Sequence, residues 1–235
     1  MKGMKLTVML FGIALLFIAS AIYFVFKPVP HKLSYLALGD SYTFGSGVKY
    51  DENYPNQLVS YLKGQGFDVG PPVFMARPGW TSTDLCKAVR RKSLQDTVTF
   101  VTLLIGANNQ LRGLDLNNFR QQFAEILDKA IGYVNGHTER VFVLSVPDWS
   151  ASPHFEGLDR QKMALGVAAY NTAIKGMTLD KKCKYVDISG ILRDKARDSS
   201  LFINDFVHPS SIGYALWVER LAPEVATVLR QGIAQ

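Results

Sequence analysis

The sequence predicts an α/β fold in which a parallel, five-stranded sheet is covered by helices. Beyond residue 33, segments rich in β-branched and aromatic residues alternate with amphipathic segments, which is the pattern of repeated strand–helix units. Two strand segments, VTFVTLLI (98–105) and VFVLSV (141–146), are apolar at almost every position, as expected of strands buried on both faces. The chain has 235 residues, 48% of them hydrophobic and 20% charged, which suits one globular domain with an appendage.

The individual elements follow from the same patterns. Strands are predicted at 34–38, 68–76, 98–105, 140–146 and 185–188. Helices are predicted at 55–63, 82–92, 117–133, 159–177 and 211–229. The last helix is expected to break near Pro223, because proline cannot continue the hydrogen bonding of a helix.

The appendage is an uncharged, apolar run of 21 residues, 6–26, that follows Lys2 and Lys5. As a helix it would extend about 31 Å, enough to cross a hydrocarbon core of about 30 Å. The residues Ala19-Ser20-Ala21 are typical of the cleavage site of a signal peptide. The apolar run continues beyond that site, which favours an uncleaved membrane anchor.

Both interpretations predict an extracytoplasmic protein, either anchored in a membrane by its N-terminal helix or, after cleavage, secreted or periplasmic. The domain organisation is then a signal anchor or signal peptide at 1–27, a linker at 28–33 that contains two prolines, and one globular domain at 34–235. In the anchored form, residues 6–26 are the contact with the membrane.

Charge and cysteine content argue against nucleic-acid and metal partners. The net charge is +6, but residues 1–27 hold three of the 26 basic residues and no acid, which leaves 23 basic against 20 acidic residues; this excess is too small to indicate nucleic-acid binding. The basic cluster at 87–93 is expected to be the solvated face of a helix. Cys86 and Cys183 form no CxxC pattern, so no metal site is predicted. Whether they form a disulfide or remain two buried thiols stays open.

A candidate nucleophile follows the first strand, where LALGDSYTFG (36–45) turns from an apolar run into Gly39, Asp40 and Ser41. Ligands of open parallel sheets bind at the carboxyl ends of the strands, so Ser41 is expected at such a site. Asp40 is expected to hold the turn by accepting backbone N–H bonds.

A serine nucleophile needs a base, and the base needs an orienting group. His208 follows Asp205 by three positions, just before the last helix, a spacing that lets the carboxylate bond the imidazole. The sequence therefore predicts Ser41, His208 and Asp205 as catalytic residues. His31 lies in the linker and His137 in a polar turn, and both are expected to be structural. His154 lies in a loop without a nearby acid at a useful spacing.

Two further strand ends carry candidate donors for a developing oxyanion. Gly79 can present a backbone N–H on a tight turn, and Asn108 can offer its side-chain amide. Taken alone, Gly79 is better explained as a turn glycine, and Asn108 as a helix cap or Asx turn. A donor of this kind contributes about 3 to 4 kcal/mol to the stability of a transition state. The aromatic residues Trp80, Trp149 and Phe155 lie on nearby loops, where they line an acyl or aryl pocket or serve ordinary packing.

Taken together, these blocks resemble the SGNH/GDSL hydrolase superfamily: GDSYTFG at Ser41, PGWTSTDL at Gly79, GANN at 106–109 and DFVH at 205–208. The resemblance implies a three-layer α/β/α, flavodoxin-like domain that cleaves ester or thioester bonds through an acyl-serine, without metal or cofactor. It assigns Ser41 as nucleophile, His208 as base, Asp205 as its orienting acid, and Ser41, Gly79 and Asn108 as the oxyanion hole.

One position departs from the family pattern, because Asn109 stands where an aspartate is usual. The role of that carboxylate is therefore in doubt. The expected substrate is a small-molecule, lipid or glycan acyl ester. Two alternatives stay open, namely an O-acyltransferase acting on envelope glycans and a non-catalytic envelope binding protein of the same fold.

Overall fold

The computed structural model describes residues 33–91 and 97–233 of the chain. The export segment predicted at 1–27 lies outside these residues, as does the linker up to residue 32. Among the helices within the described ranges, none is both long and apolar enough to cross a membrane.

Five parallel strands form one sheet, as predicted. They are β1 (Tyr35–Gly39), β2 (Val73–Ala76), β3 (Phe100–Leu104), β4 (Val141–Leu144) and β5 (Lys184–Val186), in the spatial order β2-β1-β3-β4-β5. This is the flavodoxin-like order, whose topological switch point lies between β1 and β3. The carboxyl ends of β1 and β3 therefore flank the expected ligand site.

The helices form two groups, one on each face of the sheet, which gives the three-layer α/β/α sandwich. They are α1 (Ser41–Phe44), α2 (Tyr54–Gly64), α3 (Ser82–Arg91), α4 (Ala107–Leu111), α5 (Leu116–Tyr133), α6 (Arg160–Asp180), α7 (Ser189–Arg193) and α8 (Ser211–Ile233). Helix α2 packs on α8, whereas α5 packs on both α3 and α6. Every residue of β1, β3 and β4 is buried, because helices cover both faces of these strands.

Two expectations about element bounds are wrong. Strand β2 begins at Val73 and not at 68, because Gly70-Pro71-Pro72 supplies two residues without a backbone donor. Helix α8 runs through Pro223 as one element. Proline costs a helix interior about 3 kcal/mol, but Leu221, Ala222 and Val225 are fully buried on either side of it, and this burial offsets the cost.

The two cysteines are free and buried, Cys86 on α3 and Cys183 just before β5. Of the two alternatives, a disulfide or two buried thiols, the structure therefore supports the two thiols. Burial raises the pKa of Cys183 to about 11. The described part of the basic cluster lies on the solvated face of α3, where Lys87, Arg90 and Arg91 are exposed, as predicted.

Candidate active site

Ser41 is the first residue of α1 and directly follows the turn that ends β1. Gly39 is required there, since a Cβ atom would lie 2.1 Å from Thr43 Oγ1 and 2.5 Å from the carbonyl oxygen of Leu104. Asp40 caps the helix by accepting the N–H of Tyr42 at 3.0 Å, as predicted. The close approach of β1, α1 and β3 thus fixes the position of the Ser41 side chain.

The other carboxylate oxygen of Asp40, Oδ2, is buried and has no hydrogen-bond partner among the described residues. Burial raises the pKa of Asp40 to about 7, even though the N–H groups of Tyr42 and of Asp40 itself favour the ionised form. Asp40 is therefore an acid that changes its protonation near neutral pH directly beside Ser41.

A continuous chain of hydrogen bonds links Ser41 to Asp205. Nε2 of His208 lies 2.9 Å from Ser41 Oγ, and Nδ1 of His208 lies 2.6 Å from Asp205 Oδ2. The second oxygen, Asp205 Oδ1, accepts the N–H groups of Val207 at 2.8 Å and His208 at 2.9 Å. Burial opposes ionisation of Asp205, but these hydrogen bonds outweigh it and hold its pKa below the ordinary value.

Two hydroxyl groups hold the loop that carries Asp205 and His208. Ser152 Oγ donates to the carbonyl of Phe206 at 2.6 Å, and the Tyr42 hydroxyl donates to the carbonyl of Val207 at 3.2 Å. Phe206 has a φ of 54°, an unfavourable value for a residue with a side chain. The sequence patterns did not identify these supports. Tyr42 could have been suspected because it directly follows Ser41. No sequence pattern, however, connects Ser152 with Phe206, which lies 54 positions further along the chain.

Gly79 and Asn108 lie together with Ser41 and His208 around one pocket. Gly79 has a φ of 77° in the turn between β2 and α3, which favours glycine. The Asn108 amide donates one hydrogen to the carbonyl of Trp80 at 3.0 Å, so a second amide hydrogen is left for a substrate oxygen. Arg112 Nη2 donates to the carbonyl of Gly79 at 2.9 Å and ties the turn to the end of α4.

The pocket beside Ser41, called the acyl pocket below, has a volume of about 170 Å³. Its apolar walls come from Pro78, Leu111, Trp149, Phe155 and Val207. Two of the three aromatic residues singled out in the sequence therefore line it. Trp80 is absent from this lining, and the guanidinium of Arg77 lies 6.0 Å from the centre of its ring.

Asn109 does not face the acyl pocket. It is 2% exposed, and it bonds Ser82 twice, with Oδ1 accepting the backbone N–H at 2.8 Å and Nδ2 donating to the hydroxyl at 2.8 Å. The hydroxyl of Ser82 in turn donates to Gln122 Oε1 at 2.6 Å. Asn109 thus joins α4 to α3 and, through Ser82, to α5.

The remaining described histidines lie apart from this constellation. His137 pairs with Glu139 at 3.2 Å on the surface, and the His154 ring packs on Phe155. His31 is outside the described residues. Within residues 33–91 and 97–233, no three His, Cys, Asp or Glu side chains are grouped so that they could hold a metal ion.

Comparisons with known proteins agree with the fold. Similar solved structures include the psychrotrophic esterase EstA from a Pseudoalteromonas species, with 17% identity, coverage of 84% of this chain and 98% of the other, and a TM-score of 0.66. A member of the lipolytic G-D-S-L family from Veillonella parvula has 20% identity, coverage of 83% and 98%, and a TM-score of 0.63. A lipase/acylhydrolase from Enterococcus faecalis has 17% identity, coverage of 83% and 96%, and a TM-score of 0.62.

At these identities the structural neighbours show the shared fold. A search of curated proteins gave no match. The model of the GDSL-like lipase/acylhydrolase family, however, matches residues 37–216, a range that holds Ser41, Gly79, Asn108, Asp205 and His208. The chain therefore belongs to the GDSL-like lipase/acylhydrolase family.

Proposed function

We propose that the protein is a serine hydrolase that cleaves carboxylic ester bonds, or the related thioester bonds, through an acyl-serine intermediate. The observation that carries this proposal is the chain of hydrogen bonds from Ser41 Oγ through the His208 imidazole to Asp205, with distances of 2.9 Å and 2.6 Å. Such a chain supplies the base that a serine hydroxyl needs at neutral pH.

In the first step, Ser41 Oγ attacks the carbonyl carbon of the substrate while His208 Nε2 takes the hydroxyl proton. The Asp205 carboxylate stabilises the imidazolium that forms, and its lowered pKa keeps it ionised for this role. The negative charge that develops on the carbonyl oxygen is stabilised by the N–H groups of Ser41 and Gly79 and by the free amide hydrogen of Asn108.

The tetrahedral intermediate then collapses. His208 Nε2 returns its proton to the leaving alcohol oxygen, the carbon–oxygen bond to the alcohol breaks, and the acyl group remains on Ser41. Water enters next and attacks the acyl carbon while His208 Nε2 takes one of its protons. The bond between the acyl carbon and Ser41 Oγ then breaks, His208 returns the proton to Ser41 Oγ, and the carboxylic acid leaves.

The size of the acyl pocket favours short acyl groups. Its 170 Å³ is below the range of roughly 300 to 1,000 Å³ that is usual for sites of drug-sized ligands. We therefore propose esters of short acids as the preferred substrates.

The position of Asn109 favours an enzyme over a non-catalytic binding protein. The exchange of aspartate for asparagine was the one departure from the family pattern that suggested lost activity. Because the Asn109 side chain bonds Ser82 and does not face the acyl pocket, this departure leaves the Ser41, His208 and Asn108 groups intact.

Hydrolysis of 4-nitrophenyl butanoate tests the proposal. We expect turnover by the wild-type protein and a loss of at least about 1,000-fold in kcat in Ser41→Ala. Ser60→Ala is the control, since Ser60 lies on the exposed side of α2 and donates to the carbonyl of Asn56. Undiminished turnover in Ser41→Ala would show that another group carries the chemistry.

We also propose that the protein is located outside the cytoplasm. The support is the uncharged, apolar run of residues 6–26, which has the pattern of a membrane anchor or a signal peptide. If this segment is an uncleaved anchor, the full-length protein stays with the membrane fraction in alkaline carbonate and a protein truncated to 34–235 does not. If the segment is a cleaved signal, the mature protein begins near residue 22 by N-terminal sequencing and is released. A full-length protein that is recovered from the cytoplasm contradicts both forms.

A further inference from the structure

A large open groove is lined by two chain segments that also contribute to the acyl pocket. It has a volume of about 890 Å³ and is bordered by the loop 151–160, by residues 193–198 and by Phe206; we call it the basic groove. The same two segments border both cavities. In the loop, Phe155 lines the acyl pocket while Pro153 and Glu156 line the basic groove, and in the catalytic loop Val207 and His208 line the pocket while Phe206 lines the groove.

Three of the four cationic side chains of the basic groove have no ion pair within 4 Å among the described residues. Four cationic side chains line it against three acidic ones. Arg193 is paired with Asp148 at 3.2 Å and with Asp194 at 2.8 Å. Arg160 and Arg197 have no ion pair within 4 Å in the described part of the chain, and this is also true of Lys195.

Two of the three acidic side chains of the groove already have partners. Asp194 is held by Arg193. Asp198 accepts the hydroxyl of Ser200 at 2.6 Å and its N–H at 3.1 Å, and it interacts electrostatically with Lys195. Glu156 is the one remaining acid in the lining. With Asp148 included, the cationic and acidic side chains around the groove balance. The attraction for anions therefore comes from the unpaired guanidinium groups of Arg160 and Arg197, which match the geometry of phosphate and carboxylate oxygens.

The chemistry of the proposed reaction determines which part of a substrate meets this groove. His208 must reach the oxygen of the leaving alcohol to protonate it, so the alcohol lies beside His208. From there the catalytic loop leads through Val207 to Phe206, which borders the basic groove. The Ser152 bond to the Phe206 carbonyl, 2.6 Å long, holds the two walls of the groove together.

We propose that the basic groove binds an anionic group, a phosphate or a carboxylate, on the alcohol part of the ester. Arg160 and Arg197 are the principal ligands, and Lys195 adds charge. This inference rests on the proposed esterase function and extends it, because it names the class of alcohol that the enzyme prefers. The acyl group remains in the acyl pocket.

The test compares three butanoyl esters that differ only at one end of the alcohol, namely those of glycerol, glycerate and glycerol 3-phosphate. We expect kcat/KM for the two anionic esters to exceed that for the glycerol ester by about tenfold, the size of effect that one or two partly exposed charge contacts give. The glycerate and glycerol 3-phosphate arms identify whether carboxylate or phosphate is the better ligand. The preference should weaken as ionic strength rises.

In Arg160→Gln/Arg197→Gln, the ratio of kcat/KM between the anionic and the neutral ester should fall about tenfold, mainly through KM. The control is Lys63→Gln/Arg220→Gln, which removes two positive charges from α2 and α8 and should leave the ratio unchanged. A second readout needs no turnover. Glycerol 3-phosphate should bind Ser41→Ala by calorimetry, and the two arginine substitutions should weaken that binding.

Equal kcat/KM for all three esters would overturn the inference while leaving the esterase proposal intact. An equal change of the anionic-to-neutral kcat/KM ratio in both double variants would also overturn the inference and leave the esterase proposal intact. If no ester is hydrolysed, the proposed function fails, and calorimetry alone then tests the groove. No binding of glycerol 3-phosphate would overturn the inference that the groove binds an anion. Binding that is lost when Arg160 and Arg197 are replaced would support this inference.

Discussion

Asn109 and Ser82 are joined by two hydrogen bonds of 2.8 Å, one in each direction between the amide and the serine. In Asn109→Asp the side chain can no longer donate, and a carboxylate is placed where only 2% of the residue is exposed. We expect the free energy of unfolding to fall by about 1 to 3 kcal/mol, measured by urea denaturation.

The control for this substitution is Asn118→Asp, the same chemical change on the exposed first turn of α5. There a negative charge near a helix N-terminus is neutral or slightly stabilising. Equal stability of the two variants would mean that the donated hydrogen bond to Ser82 contributes nothing.

The buried carboxyl group of Asp40 predicts a pH-dependent stability. Its pKa is raised from 3.8 to about 7 in the folded state, so between these values the native state binds more protons than the unfolded state, and the free energy of unfolding falls as pH rises. The full shift corresponds to roughly 4 kcal/mol, lost between about pH 4 and pH 8.

Asp40→Asn keeps an oxygen for the N–H of Tyr42 but cannot ionise. We expect the difference in unfolding free energy between Asp40→Asn and the wild type to move in favour of the variant as pH rises from 4 to 8. Because every other titrating group is shared, the difference isolates Asp40. A difference that stays constant over this range would contradict a raised pKa.

Asn108 and Arg112 both hold the Gly79–Trp80 turn, but only Asn108 has a hydrogen left for the substrate. We expect Asn108→Ala to lower kcat by about 100- to 1,000-fold with little change in KM, as loss of an oxyanion donor does. Arg112→Gln removes a bond to the same turn without removing the donor, and it should lower kcat by less than about tenfold. Similar losses in both variants would assign Asn108 to support of the turn alone.

Phe155 forms part of the apolar wall of the acyl pocket. In Phe155→Ala, the preference among 4-nitrophenyl esters should shift from butanoate and hexanoate toward longer acids, because the cavity gains the volume of the ring. Phe67→Ala is a matched control, since Phe67 is also 8% exposed but does not line the acyl pocket. An unchanged chain-length profile in Phe155→Ala would place the acyl chain elsewhere.

Most of the sheet could be predicted from the sequence because β1, β3 and β4 are buried on both faces and are therefore apolar throughout. The predicted start of β2 at residue 68 was wrong, since Pro71 and Pro72, which directly precede Val73, have no backbone N–H to donate to a ladder. The short helices α1, α4 and α7 span four or five residues each, which is too short for a hydrophobic period to be visible.

The site could be predicted where its chemistry is local, as in the three-residue spacing of Asp205 and His208. The contacts of Ser152 with Phe206 and of Asn109 with Ser82 join distant parts of the chain, and no local pattern specifies such pairs. The basic groove was also not predicted, because its arginines come from the start of α6, the end of α7 and the turn that follows α7, which only the fold brings together.

Covalent labelling with a fluorophosphonate, followed by mass spectrometry of the peptide that contains Ser41, tests whether Ser41 is a nucleophile that His208 activates. We expect one phosphonyl group on Ser41 in the wild-type protein, much slower labelling in His208→Gln, and none in Ser41→Ala, because attack on phosphorus needs the same base and oxyanion donors as attack on an ester. Folded wild-type protein that stays unlabelled at Ser41, or that is labelled equally fast in His208→Gln, would contradict the account.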